Sequence, residues 1–224
     1  MVHSVEVDIR KSVSACCGTI VGRIRSEVCL SAARESRLAV IDIPGFVAEL
    51  KDHALDHQFH IHDERHFIET YSMRQAWEVD LHPVHACGGP LDLHLSVDLD
   101  PRTVLAFEDH LVGLPEESEP ETGLTLPLVF TWVLPPLVDA PDLLVLATEL
   151  AGIGGAELPL RVAAIDSTAE VTDAAERTLS ITASLDLRLD DLFMNRESLC
   201  EALDSCYRVS EFLLDRAPVW LGDL

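Results

Sequence analysis

The chain has 224 residues, of which 48% are hydrophobic, so it is long and apolar enough to fold around a buried core. Sixteen Lys and Arg residues against 39 Asp and Glu residues give a formal net charge of −23 at pH 7. Phosphate backbones and anionic lipids repel such a chain, so the composition disfavours nucleic acids and membrane surfaces as primary partners. We expect any protein partner to present a basic surface.

The first twelve residues alternate apolar and polar side chains, and they lack the basic start and the unbroken apolar stretch of a signal peptide. The longest apolar stretch, residues 124–138, contains three prolines. It is also shorter than the ~20 residues that a helix needs to cross a bilayer. We therefore expect a soluble, cytoplasmic protein.

Helical spacing of apolar residues predicts a first helix over residues 12–34. A short strand is predicted over 38–43, followed by a second helix after Pro44. Alternating segments at 58–62 and 77–82 predict two further strands. The apolar face of the second helix is expected to contain Phe46, Val47, Leu50 and Leu55.

Two segments, 91–99 and 179–189, alternate so strictly that they predict strands with one face in the core and the other in water. Each strand leads directly into a predicted helix. Asp100 followed by Pro101 provides the helix start after the first of these strands. After the second strand, Asn195 is predicted to cap a long C-terminal helix that ends at Pro218.

The remaining segments are less regular. Alternation predicts strands over 124–134 and 158–165, whereas the period of residues 142–150 fits either a helix or a strand. Together these elements predict an α+β fold, in which an antiparallel sheet has helices packed on one face and a long C-terminal helix closes the core.

The predicted organisation is a single α+β domain over residues 1–224. The repeated order of strand and helix suggests two related halves, 1–113 and 124–224, which an acidic loop at 115–123 joins. Because a run of like charges is usually solvated, we expect this loop to lie at the surface.

Histidines are concentrated in one part of the chain, since nine of the ten lie between His53 and His110. Strand alternation places several of them on the polar faces of three successive strands, together with Asp and Glu side chains. If these strands are neighbours, imidazole and carboxylate groups converge on one sheet face. The four histidines that this pattern selects are His60, His62, His82 and His94.

Neutral imidazole and carboxylate oxygens are ligands that Zn²⁺ and Fe²⁺ accept in proteins. One hypothesis is therefore a metal site on these four histidines, with zinc or iron as the cofactor. The opposite hypothesis is a solvated sheet face that is rich in His and Asp. It is favoured because His-x-His pairs are common by chance and no HExxH motif accompanies them.

Six cysteines form no CxxC pair, so the sequence contains neither a zinc-ribbon nor a thioredoxin-like motif. Without an export signal a disulfide framework is not expected, and buried free thiols are the ordinary state of such residues. The glycine-rich segment 152–155 lacks the lysine of a phosphate-binding loop, so we expect it to be a turn.

Two functions from different classes remain. The first is a non-enzymatic module that binds a protein or a small ligand, with Phe130, Trp132 and Tyr207 as candidate residues lining an apolar pocket. The alternative is a metal-dependent enzyme that uses the His- and Asp-rich sheet face. Whether the protein is an enzyme stays open, because the sequence contains no G-x-S-x-G elbow and no Ser or Cys with an identifiable base.

Overall fold

The computed structural model of the chain describes residues 4–7, 41–115, 118–168, 175–196 and 199–222. The helix predicted over 12–34 lies outside the described residues, as do residues 38–40 of the short strand. The strand prediction is wrong for residues 41–43, since Ile43 begins a helix. The reason is a helix cap: the carboxylate of Asp42 accepts a hydrogen bond from the Gly45 N–H at 2.9 Å.

Seven strands form the sheet within the described residues. They are β1 (Ser4–Val7), β2 (Phe59–Glu69), β3 (Gln75–Pro83), β4 (Asp92–Leu99), β5 (Thr125–Val133), β6 (Leu160–Thr168) and β7 (Ala175–Arg188). Their order in the sheet is β1-β2-β3-β4-β5-β7-β6, and all neighbouring pairs are antiparallel. The strands predicted between residues 58 and 189 are all present, although β2 is much longer than the predicted 58–62.

Five helices accompany the sheet in the described part of the chain. They are α1 (Ile43–Asp56), α2 (Pro101–Gly113), α3 (Leu143–Gly154), α4 (Leu189–Phe193) and α5 (Cys200–Leu221). The segment whose period did not distinguish helix from strand, 142–150, is helical. Asp142 caps it by accepting hydrogen bonds from two N–H groups of its first turn, and Asp100 caps α2 by accepting one from the Arg102 N–H.

The hydrophobic core lies on one side of the sheet, which we call the core face. In β3, β4 and β5 every second side chain is buried, and these buried side chains are apolar. Helix α5 packs against this layer, and the indole N–H of Trp132 donates to the hydroxyl of Ser210 at 2.9 Å. The fold is therefore α+β, with helices packed against an antiparallel sheet and a long C-terminal helix, as predicted.

The acidic loop is tied to the sheet at its C-terminal end. Asp190, in the first turn of α4, is fully buried and accepts hydrogen bonds from the Thr122 N–H at 3.0 Å and the Thr122 hydroxyl at 2.8 Å. Arg188 donates to the same carboxylate at 2.8 Å. Strands before and after this loop belong to one sheet, because β4 and β5 pair directly.

Two details of the C-terminal region differ from the prediction. Asn195 adopts a left-handed backbone with φ 50° in a turn, and the residue that precedes the first turn of α5 is Leu199. Pro218 does not end α5, which continues to Leu221. Tertiary contacts explain this continuation, because the N–H of Val138 donates to the carbonyl of Trp220 at 2.9 Å and Trp220 is itself buried.

Candidate functional site

The sheet face opposite to the core face, which we call the open face, presents the alternate side chains of β3, β4, β5 and β7. These side chains are half-buried or exposed, and none of them is buried. No helix among the described residues therefore covers the open face. An antiparallel sheet with one solvated face is a common arrangement, and it makes the polar side chains of several strands accessible together.

A β-bulge determines which side chains of β2 reach the open face. The register between β2 and β3 shifts between Ile61 and Asp63, with His62 as the additional residue. Because side chains alternate along a strand, one additional residue moves all following side chains to the opposite face. Unbroken alternation would place Arg65 in the core, but the bulge places it on the open face, opposite Glu78.

Arg65 lies at the centre of a carboxylate cluster on the open face. Its guanidinium donates to both oxygens of Asp80, at 2.9 and 3.0 Å. It also donates to Asp63 at 2.9 Å and to Glu78 at 3.2 Å. Three carboxylates surround one guanidinium, so this group, which we call the Arg65 cluster, keeps an excess of negative charge.

The environment of Asp80 favours its ionised form. Burial by itself would raise the pKa of Asp80, but the hydrogen bonds from Arg65 and from His94 outweigh it, so the pKa of this carboxyl lies below its ordinary value. The hydrogen bonds to Asp80 in turn raise the pKa of Arg65 above its usual range. The pair is therefore charged at neutral pH.

His94 is oriented by the same carboxylate. Its Nδ1 donates to Oδ1 of Asp80 at 2.6 Å across the β3–β4 pair. A carboxylate that fixes one ring nitrogen holds the imidazole in a defined tautomer, as in metal second shells and catalytic triads.

The four histidines of the predicted metal site lie on adjacent strands, since β2, β3 and β4 are neighbours as the hypothesis required. Their contacts are nevertheless separate. The rings of His62 and His82 meet edge to face with centroids 5.5 Å apart. The Nδ1 atom of His60 lies 3.4 Å from the Cys87 sulfur, whereas His94 binds Asp80.

Across the described ranges, no group of three or more His, Cys, Asp or Glu side chains is arranged to hold a metal ion. The geometry of the four predicted histidines agrees with this result, because His62 and His82 contact each other, whereas His60 contacts Cys87 and His94 binds Asp80. The zinc or iron site on these residues stays a prediction, without a ligand arrangement that supports it in these ranges.

The centre of the part of the open face that β5 and β7 form differs from the Arg65 cluster, because it carries hydroxyl and aliphatic groups. Cross-strand partners there place small polar and β-branched side chains next to each other in a flat patch. The six half-buried or exposed residues at its centre are Val129, Thr131, Val133, Ser180, Thr182 and Ser184.

Two of the aromatic residues predicted to line a ligand pocket lie in the closed core. Phe130 and Trp132 are 0% and 1% exposed and pack beneath α5. Tyr207 instead lines an open groove of about 630 Å³ between the end of α3 and the start of α5. Burial, followed by the negative charge of Glu211, raises the pKa of Tyr207. These aromatic side chains therefore do not share a pocket.

The cysteines divide into buried and exposed thiols. Cys206 is fully buried, and burial raises its pKa well above the ordinary value. Cys87 and Cys200 are exposed, so the expectation of buried thiols is wrong for these two residues. The three remaining cysteines, Cys16, Cys17 and Cys29, lie outside the described residues.

Arg65 on the open face and Cys87 in the turn between β3 and β4 were not among the residues predicted from the sequence to form a site. Arg65 lies beyond the predicted strand 58–62, and no sequence signal marked the bulge that places its side chain on the open face. Cys87 precedes the turn signal Gly88-Gly89, which favours exposure and could have separated this thiol from buried ones.

Comparison of the chain with protein-family models, with curated proteins and with solved structures finds no match. In the part of the chain that the structure describes, no helix combines the length and apolar character needed to span a membrane. The function of the protein is therefore inferred from the geometry of the open face and of the turn between β3 and β4.

Proposed function

We propose that this protein is a non-enzymatic interaction module, which docks a protein with a basic surface on the open face of its sheet. The observation that carries the proposal is the open face itself: within the described residues four adjacent strands leave it uncovered. An uncovered sheet face of four strands offers an extensive surface to a folded partner, whereas it offers no enclosed site to a small substrate.

The charge distribution favours a basic partner. The Arg65 cluster keeps an excess of negative charge, and Asp92 and Asp186 are exposed carboxylates on the same face. Between them lies the uncharged patch around Thr131 and Thr182. A partner with Lys or Arg side chains around a neutral centre matches this pattern. A second copy of this chain does not, because two acidic faces repel each other.

The experiment compares two charge-reversal variants that change the net charge equally. One carries Asp92→Arg and Asp186→Arg on the open face, and the other carries Asp52→Arg and Asp56→Arg on α1, where both carboxylates are exposed. The full-length wild type and both variants are each immobilised on a resin. Each resin is then incubated with an extract of the source cells. Proteins captured by the wild type and the α1 variant, but not by the open-face variant, are identified, purified and titrated.

The expected result is a purified basic protein that binds the wild type and the α1 variant equally and binds the open-face variant at least about tenfold more weakly. Its association rate should fall as the NaCl concentration rises, because screening shortens the range of attraction to ~8–10 Å.

Three results would contradict the proposal. They are the failure of any purified protein to show this difference, tight binding of duplex DNA at physiological salt, and stoichiometric zinc or iron that is lost in a His60→Ala, His62→Ala double variant. The last result would favour the metal-dependent enzyme instead.

A further inference from the structure

A tight turn between β3 and β4 holds Cys87 at the surface. The Gly89 N–H donates to the Ala86 carbonyl at 2.9 Å. Cys87 has φ −56° and ψ 126°, and Gly88 has φ 79°, which are the angles of a type II turn. Only glycine adopts the Gly88 conformation without strain, so the turn fixes the position of the exposed thiol.

An imidazole lies within hydrogen-bond reach of this thiol. The Cys87 sulfur is 3.4 Å from Nδ1 of His60, which is 27 residues earlier in the chain. His60 is held on β2, where it pairs with His82 of β3. The backbone of His60 is therefore held by strand pairing, and that of Cys87 by the hydrogen bond of the turn. Both side chains are exposed. A thiol beside an imidazole that can accept its proton is the arrangement of an activated sulfur nucleophile.

We propose that Cys87 is a reactive thiol, with His60 as its base, that exchanges with disulfides of small molecules. The Cys87 proton passes to Nδ1 of His60, and the thiolate attacks one sulfur of the disulfide. A Cys87–sulfur bond forms while the original sulfur–sulfur bond breaks. The leaving thiolate takes the proton from His60, so Cys87 is oxidised to a mixed disulfide and one thiol is released.

The charge of the protein restricts the disulfides that react fastest. A chain with a formal net charge of −23 repels anionic molecules and attracts cationic ones. Cystamine, which carries two ammonium groups, should therefore react faster with Cys87 than oxidised glutathione, which is anionic at neutral pH. The preferred substrate class is a cationic or neutral low-molecular-weight disulfide.

Cys200 provides an internal reference. It is exposed and lies at the first position of α5. Among the residues that the structure describes, no imidazole makes a contact with the Cys200 sulfur like that between His60 and Cys87. Cys206 is fully buried and provides the unreactive reference.

The experiment treats the folded full-length protein with cystamine or with oxidised glutathione and follows each cysteine by peptide mass spectrometry over time. Wild type, His60→Gln and Cys87→Ser are compared between pH 5.5 and pH 9. We expect Cys87 to form its mixed disulfide about tenfold faster than Cys200 at pH 7, and faster with cystamine than with oxidised glutathione. In His60→Gln the Cys87 rate should fall roughly tenfold and its pH profile should shift upward, while the Cys200 rate stays unchanged.

His60 is exposed, so we expect the His60→Gln variant to fold like the wild type. Circular dichroism checks this, so that a slower reaction of Cys87 can be attributed to the lost imidazole and not to unfolding. Equal rates at Cys87 and Cys200 in the wild type would overturn the proposal. So would a Cys87 rate and pH profile that are unaffected by His60→Gln.

Discussion

Arg65 and Asp80 form an ion pair with two hydrogen bonds between β2 and β3, at 2.9 and 3.0 Å. The β-bulge at His62, three residues before Arg65, makes this pair possible. Asp80 is 16% exposed, so its carboxylate depends on Arg65 and His94 for the hydrogen bonds that water supplies elsewhere. This pair holds the negative charge of Asp80 in a fixed position within the Arg65 cluster.

Replacement of Asp80 by Asn should destabilise the protein. The substitution removes the charge that Arg65 and His94 share, and it leaves a guanidinium without its main acceptor. We expect the free energy of unfolding in urea to fall by about 2 kcal/mol. The matched control is Asp92→Asn on the same face, which is exposed and should change stability by less than ~0.5 kcal/mol. Equal effects of the two substitutions would contradict the role assigned to Arg65.

Stability should decline in acid because of two buried or half-buried carboxyls. The pKa of Asp190 is below its ordinary value of 3.8, since the hydrogen bonds from Arg188 and Thr122 outweigh the opposing effect of burial, and the pKa of Asp80 is lowered in the same way. A carboxyl with a lowered pKa in the folded state stabilises the protein above its unfolded pKa. That stabilisation is lost as the pH falls through the folded pKa.

We therefore expect the free energy of unfolding to decrease as the pH falls from about 5 to 2, and Asp190→Asn to flatten this decrease. Urea unfolding at several pH values measures the slope. Asp186→Asn, which changes an exposed carboxyl, is the control and should retain the wild-type slope. A slope that Asp190→Asn leaves unchanged would show that other groups dominate acid unfolding.

The orientation of the strictly alternating strands can be tested by placing a charge on the core face. Leu95 is 1% exposed and Leu187 is 4% exposed. Leu95→Asp or Leu187→Asp should prevent folding, because an unpaired buried charge costs several kcal/mol. Ser96→Asp places the same group on the open face and should yield folded protein. Cooperative melting of either leucine variant, followed by circular dichroism, would contradict the assigned orientation.

Salt should raise the melting temperature at pH 7. A formal net charge of −23 makes like-charge repulsion the dominant long-range term, and salt screens it. Exposed pairs such as Arg74–Asp98 and Arg177–Asp166 are weakened by the same salt, but such pairs contribute little to stability. A melting series from low salt to about 0.5 M NaCl tests this balance. A flat or falling melting temperature would show that ion pairing outweighs repulsion.

The fold class could be predicted because it depends on local periodicity. Alternation over 91–99 and 179–189 assigns strands β4 and β7, and Asp100 with Pro101 marks the start of α2. The accuracy of these predictions has a simple cause: a half-buried strand requires a period of two, and a helix start requires an acceptor for its unpaired N–H groups. Neither requirement refers to distant parts of the chain.

The prediction that Pro218 ends α5 was wrong, because tertiary contacts outweigh the helix-breaking tendency of proline at this position. The isolated sequence contains a helix breaker, but the buried Trp220 and its hydrogen bond from Val138 hold the last turn. Asn195 fails as a helix cap because the chain places it in a left-handed turn after α4 instead. At the end of α5 the deciding partner, Val138, lies elsewhere in the chain.

The sequence by itself determined the acidity, the alternation and the histidine-rich strands of this protein, since each is a property of composition or of neighbouring residues. Only the tertiary structure decided which groups meet. A single additional residue at His62 reverses the phase of β2 and brings Arg65 to Asp80, and a turn 27 residues after His60 brings Cys87 to its imidazole. Register shifts and long-range contacts depend on how whole strands pair, so no local pattern encodes them.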